Sequence, residues 1–144
     1  MSDKAFIDTN VLIYAVDQSP AEIARAARAR ELLRQNNLCL STQVLGEFYR
    51  AVTHARRASP LTHTEAVSWV QLWKRYEVAT VTVAHVDLAL EVRQRFQVDY
   101  FDALILAAAH LAGCETLYSE DLAAGQDYDG VRVCNPFAPI KPDP

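Results

Sequence analysis

The sequence predicts one α/β domain: a central parallel sheet of about five short strands, covered by helices on both faces. Three observations carry this. Five short apolar segments, near residues 4–8, 38–41, 78–83, 115–119 and 131–134, alternate with longer stretches of helical periodicity. Strands separated by helices join through right-handed crossovers, which makes the sheet parallel and buries both its faces. A chain of 144 residues, 51% of them apolar, also has the size and composition of one ordinary core.

The first strand runs from Lys4 to Asp8 and leads into an apolar helical turn, Val11 to Val16. Ser19-Pro20 opens a second helix, because serine caps and proline fits the first turn. That helix reaches about Gln35, carries Arg25, Arg28, Arg30 and Arg34 among alanines, and stops at Asn36-Asn37. Leu38 to Ser41 is the second strand, and Ser41 or Thr42 caps a helix from Gln43 to about Ala58. Ser59-Pro60 marks a loop before a helix near Thr64 to Tyr76, capped by Thr62 or Thr64. The β-branched residues over Val78 to Val83 favour a third strand, and Ala84 to Gln97 is an amphipathic surface helix.

Phe101 to Ala112, FDALILAAAHLA, is apolar all round, the mark of a helix buried on most sides, and Gly113 closes it in the favoured C′ position. Only Asp102 and His110 interrupt it. Glu115 to Ser119 and Val131 to Cys134 complete the strands, with Asp129-Gly130 as the turn before the last. The domain spans residues 1–137, and a proline-rich tail, 138–144, continues no element.

With 18 acids against 14 bases the net charge is −4, so any nucleic-acid binding rests on a local basic patch or a metal ion rather than on a global field. Cys39, Cys114 and Cys134 are far apart and form no C-x-x-C pair, which argues against a disulfide framework and a zinc knuckle and reads as reduced core thiols. No charged leader with an apolar core and no apolar run of about 18 residues is visible. Neither signal peptide nor membrane span is expected, and the cytoplasm is the expected location.

Ligands of open parallel sheets bind beyond the carboxyl ends of the strands. Asp8 ends strand one, Glu47 lies in the first turn or so after strand two, Asp102 begins the buried helix and Asp121 follows strand four. Carboxylates gathered there must take up protons or bind a cation. Oxygen-only donors, without a histidine or thiolate pair, favour Mg²⁺ or Mn²⁺ over zinc. The matching chemistry is phosphodiester hydrolysis, in which the ion activates water and stabilises the leaving oxygen.

Each acid taken alone also has a plainer meaning. Asp8 reads equally as the cap of the following helix. Asp102 reads as a first-turn acid favoured by the helix dipole, with Asp99 as the cap. Glu47 sits at the border of the stripe Val44, Leu45, Phe48 and Val52, and Asp121 is a common turn residue. Thr9 and Asn10 either tie their turn together or hold Asp8, and Ser119 stands at the same edge with the same two readings. The coincidence of all four acids at one sheet edge favours a site.

These residues resemble the PIN-domain ribonucleases, and most closely the toxin subunits of VapBC toxin–antitoxin pairs. The similarity lies in FIDTNVLIY, STQVLGEFYRAV, FDALILAAAHLAGC and TLYSEDLAAGQDYDGVRVCNPF, four blocks in the family's order across nearly the whole chain. The resemblance implies a Mg²⁺- or Mn²⁺-dependent endoribonuclease acting on structured or translation-related RNA, with Asp8, Glu47, Asp102 and Asp121 as its catalytic acids and Thr9, Asn10 and Ser119 as accessory polar groups. Asp8, Glu47 and Asp102 would hold the principal ion, and Asp121 would complete the site or help hold a second. Relatives often carry a further acid just after the fourth, whereas Leu122, Ala123 and Ala124 follow Asp121 here, so one ion is expected. A cognate antitoxin, commonly sending an arginine into the acidic site, is the implied partner, with a homodimer or toxin–antitoxin hetero-oligomer as the assembly.

Arg25, Arg28 and Arg50 are candidate RNA contacts, and Arg56-Arg57 offers another basic pair. His54, His63, His85 and His110 are not at metal-ligand spacings, and His110 reads as a core residue. Trp69 and Trp73, four apart on one helix face, pack in a core or an interface. A receiver-like signalling module would need adjacent acids after strand one and a lysine after the last strand, where none occurs until Lys141. A dehalogenase-like phosphatase would need an aspartate where Asn10 stands. A PIN-fold interaction scaffold without nuclease activity is the remaining alternative.

Overall fold

The computed structural model describes residues 3–140. Along the chain these form β1 (Ala5–Ile7), α1 (Thr9–Ala15), a 3₁₀ turn (Pro20–Glu22), α2 (Ile23–Leu32), β2 (Leu38–Ser41), α3 (Thr42–Thr53), α4 (His63–Trp73), β3 (Glu77–Ala79), α5 (Val83–Phe96), α6 (Tyr100–Leu111), β4 (Thr116–Tyr118), β5 (Asp127–Tyr128) and β6 (Val131–Cys134). One sheet has the order β3-β2-β1-β4-β6-β5. Every pairing is parallel except β5 with β6.

β1 lies at the centre, with Ala5 facing both Leu38 and Thr116, which is why AFI is fully buried. The crossovers from β1 to β2 and from β2 to β3 run one way along the sheet, and the return from β3 to β4 runs the other. Right-handed crossovers therefore put α1 to α4 on one face and α5 with α6 on the other. The strand order reverses between β1 and β4, and that switch point is where a crevice opens at the carboxyl ends of the strands.

The α/β sheet is the predicted one, with local corrections. A sixth strand exists, the two-residue β5, paired antiparallel to β6 across a tight turn in which Asp129 and Gly130 both have positive φ (54° and 95°). β3 stops at Ala79 instead of running to Val83, because its partner β2 ends at Ser41, which turns away to cap α3 by accepting from the Val44 amide. α5 then starts at Val83, its Thr82 cap bonded through both amide and hydroxyl to the His85 ring. α3 ends at Thr53 rather than Ala58, since the chain turns extended at His54 and folds back until the Leu61 amide donates to the Val52 carbonyl, 2.8 Å.

α6 is buried from Ala103 to Ala109, as its composition requires, and Gly113 follows at φ 77°. His110, expected in the core, is exposed at the last turn of α6. Cys39 and Cys114 are buried free thiols, but Cys134 is exposed. The two tryptophans belong to the core seam between α3 and α4: Trp73 is buried, stacks on Trp69 with centroids 5.4 Å apart, and meets Phe48 edge-on at 5.8 Å. Thr62 and Glu65 close α4 with a reciprocal capping box. No helix among the described residues is long and apolar enough to cross a membrane.

Of the proline-rich tail, residues 141–144 lie outside the described residues. The chain just before the tail is held down, with Pro136 and Phe137 buried and the Phe137 ring edge-on to Tyr14 at 4.7 Å, and within the tail the Ile140 carbonyl accepts from Arg25.

Candidate active site

Asp8 leaves β1 at the switch point and is 4% exposed. Its two oxygens are held separately: Oδ1 accepts from the Thr9 amide (2.7 Å), capping α1, and Oδ2 accepts from the Ser119 hydroxyl (2.6 Å). Ser119, fully buried just past β4, also accepts at Oγ from the Asp121 amide (3.1 Å), so one hydroxyl fixes the Asp8 carboxylate and the backbone at Asp121. The cap reading and the site reading of Asp8 thus describe one geometry: the oxygen that caps the helix also fixes the carboxylate's orientation.

Glu47 enters from the second turn of α3, one turn later than expected, on the edge of the buried face formed by Val44, Phe48 and Val52. The Thr9 hydroxyl donates to its Oε1 (2.7 Å) and the Gln43 amide to its Oε2 (3.2 Å). Asn10 reaches the other way, its Nδ2 donating to Asp121 Oδ2 (3.1 Å). The D-T-N triplet therefore touches all the acids that do not start α6.

Asp102 stands in the first turn of α6, where Asp99 is the cap, accepting from the Phe101 amide at 3.0 Å. Its own carboxylate has no hydrogen-bond or ion-pair partner among the described residues. Burial pushes Asp102 up to about 6, with Asp121, Asp99 and Glu47 adding repulsion. Burial also lifts Asp8 to about 6; the Ser119 and Thr9 bonds oppose that rise, and Asp121 and Asp102 reinforce it. Asp121 thus acts on both Asp8 and Asp102, Asp102 on Asp8 and Glu47 on Asp102, so the acids are within electrostatic reach, which is the condition for sharing a proton or a cation.

The donor set fits a hard divalent ion: four carboxylates, plus the buried carbonyl oxygens of Asn10 and Gln43, both without a hydrogen-bond partner. Among the described residues, however, no three such side chains form a ready coordination shell. Glu47 and Asp121 are turned onto Thr9, Gln43 and Asn10 instead. Glu120 takes no part, because its Oε1 accepts from the Tyr14 hydroxyl at 2.9 Å.

A groove of about 570 Å³ continues from Thr9 and Glu47 along Arg50, Ala51 and His54 to Arg56 and Arg57. A larger depression of about 870 Å³ lies at the opposite, amino ends of the strands, among Asn37, Arg75 and Glu77, away from the acids. Arg50 opens onto the groove beside the acids. Arg25 and Arg28 do not: Arg25 is bound to Glu22 and the Ile140 carbonyl, and Arg28 donates to the Pro136 carbonyl, so both clamp the C-terminal segment. The residue that sequence reasoning passed over is Gln43. Its position one helical turn before Glu47 was the available signal.

The PIN domain family matches residues 5–125 of the sequence. No curated protein sequence matches it. Among solved structures, Mycobacterium tuberculosis VapC20, a toxin that cleaves the sarcin-ricin loop, is similar with a TM-score of 0.66 at 23% identity, over 82% of this chain and 90% of that one. A toxin–antitoxin complex from Klebsiella pneumoniae gives a TM-score of 0.68 at 18% identity, over 92% and 98% of the two chains. DNA-bound VapBC from Salmonella typhimurium gives 0.65 at 21% identity, over 92% and 97%.

Proposed function

The chain belongs to the PIN domain family, and from that footing we propose that it is a Mg²⁺- or Mn²⁺-dependent endoribonuclease, the toxin of a type II toxin–antitoxin pair. The observation that carries the reading is the convergence of Asp8, Glu47, Asp102 and Asp121 from four separated segments onto the switch point, with Asp8 and Asp102 both raised to about 6. Keeping these two carboxylates buried beside other acids costs stability, and a cation relieves that cost.

In this reading Asp8, Glu47 and Asp102 hold one ion, which activates water and stabilises charge on the phosphate when bound. Asp121 is the candidate ligand for a second. Ser119 and the Thr9 amide orient Asp8, the Thr9 hydroxyl and Gln43 orient Glu47, and Asn10 orients Asp121. Asp102, which has no hydrogen-bond partner among the described residues, would use the oxygen not engaged by the ion to take the proton of the attacking water. The water oxygen would bond to phosphorus as the bond to the leaving ribose oxygen breaks, and the proton held by Asp102 would pass, directly or through solvent, to that oxygen.

Structural relatives crystallised with antitoxins support a protein partner that silences the site, within a hetero-oligomer or alongside a homodimer of this chain. A cytoplasmic location accords with an RNA substrate. The test is direct. Protein purified free of any partner should cleave RNA with Mg²⁺ or Mn²⁺, stop in EDTA, and be inactive as Asp8→Asn. A folded wild type that neither cleaves RNA nor binds the divalent ion would replace this reading with that of an interaction scaffold.

A further inference from the structure

Gln43, Glu47 and Arg50 recur at intervals of four and three along α3 and share one face, and His54 caps the helix four residues on, a line of roughly 16 Å. Its middle is the acidic centre. At one end the Gln43 amide bridges Glu47 Oε2 (3.2 Å) and the Phe101 carbonyl (3.1 Å), which pins the start of α6 beside α3. Phe101 is 58% exposed there, immediately next to Asp102, with its ring braced edge-on by Tyr100 at 5.2 Å.

The other end is basic. Arg50, Arg56 and Arg57 line the groove that starts at Thr9 and Glu47. None of the three guanidinium groups has an ion-pair or hydrogen-bond partner among the described residues, in contrast to Arg25 and Arg28. The loop that carries two of them is preset, since His54 accepts from the Arg56 amide at Nδ1 (3.1 Å) and from the Arg57 amide at its carbonyl (3.0 Å). In a chain of net charge −4, three unpaired cations along one groove mark where an anion is expected.

We propose that an extended single strand of RNA lies along α3, its phosphates on Arg50, Arg56 and Arg57 and a base stacked on Phe101, so that the scissile phosphate falls between them over the acids. This rests on the nuclease reading of the acids. A single strand offers backbone charge and open base faces together, and a basic groove with an aromatic platform is how both are held. A duplex hides its base faces inside the stack.

Binding of a fluorescent unstructured RNA dodecamer and of a hairpin is measured by anisotropy in EDTA, where cleavage is silent, over a series of salt concentrations. The wild type should prefer the unstructured strand. The triple variant Arg50→Ala, Arg56→Ala, Arg57→Ala should reduce the salt slope by about 2, at about 0.7 per phosphate contact. Phe101→Ala should weaken binding by roughly 5- to 150-fold without changing the slope, and Phe101→Trp should restore it. Melting curves verify that each variant is folded.

An unchanged slope in the triple variant, unchanged affinity in Phe101→Ala, or a preference for the hairpin overturns the proposal. So does loss of binding to an acidic polypeptide with RNA binding intact, which would assign the groove to a protein. Cleavage in Mn²⁺ judges the nuclease reading separately. Strand binding with the expected slope but no cleavage keeps the track and removes the nuclease, and cleavage indifferent to these four side chains does the reverse.

Discussion

Replacing Asp8 by asparagine should abolish activity and at the same time stabilise the metal-free fold. The Asp8 carboxyl rises from an ordinary value of 3.8 to about 6 in the folded protein, chiefly through burial. Between those values the folded state binds more protons than the unfolded state, so stability falls as pH rises from about 4 to about 6 and stays low above it. At about 1.4 kcal/mol per pH unit the cost at neutral pH is on the order of 3 kcal/mol. Asparagine carries no charge and escapes that cost, but its amide faces Ser119 Oγ, which already receives the Asp121 amide, and one rearranged hydrogen bond returns about 1 kcal/mol. The net gain of about 2 kcal/mol corresponds to a rise in melting temperature of roughly 5–10 °C for a domain of this size. Calorimetry in EDTA at pH 7.5 and pH 4 is the assay, with the variant more stable than wild type at the higher pH and that gain gone at pH 4. Mg²⁺ should then raise the wild-type melting temperature and leave the variant unmoved. An Asp8→Asn protein no more stable than wild type at pH 7.5, with the same pH dependence, would refute the claim that Asp8 is held at a cost.

Three further substitutions test separate parts of the framework. Ser119→Ala removes the donor to a buried carboxylate and the acceptor of the Asp121 amide, and should cost about 1–3 kcal/mol in urea unfolding at neutral pH, while moving the Asp8 titration upward in NMR. Thr9→Val keeps shape but releases Glu47 Oε1, and should lower Mn²⁺ affinity by roughly 10- to 100-fold in a binding titration. Gly113→Ala meets open space for its Cβ but a backbone at φ +77°, so it should cost about 1 kcal/mol in unfolding and leave RNA cleavage unchanged.

The sheet was legible because its strands are short, apolar and separated by helices with caps at their starts. β5 was not, since Asp127–Tyr128 is half polar and two residues long, and only its pairing with β6 makes it a strand. The end of β3 was misplaced for a related reason: Val81 and Val83 have the composition of a strand, but a strand needs a neighbour, and β2 has already turned away. Where the four acids fall relative to the strand ends and the start of α6 was legible from the order of the elements. Which donor meets which oxygen was not, because Thr9 selects Glu47 and Asn10 selects Asp121 only after segments 38 and 111 residues apart have docked. For the arginines of α2, sequence cannot distinguish a cation that awaits a phosphate from one that holds a carbonyl of its own chain. Arg25 and Arg28 are of the second kind.

The bond between Ser119 and Asp8 sets an order in time. Of the four acids Asp8 is made first and Asp121 last, 113 positions later. At about 5–20 residues per second the ribosome needs roughly 6–20 s to pass from one to the other. For that interval the growing chain carries an aspartate with no serine to orient it, and β1 has at most one of its two neighbouring strands, β2, beside it. The orientation of Asp8 is therefore a late event in the life of the chain, completed only as β4 docks beside β1.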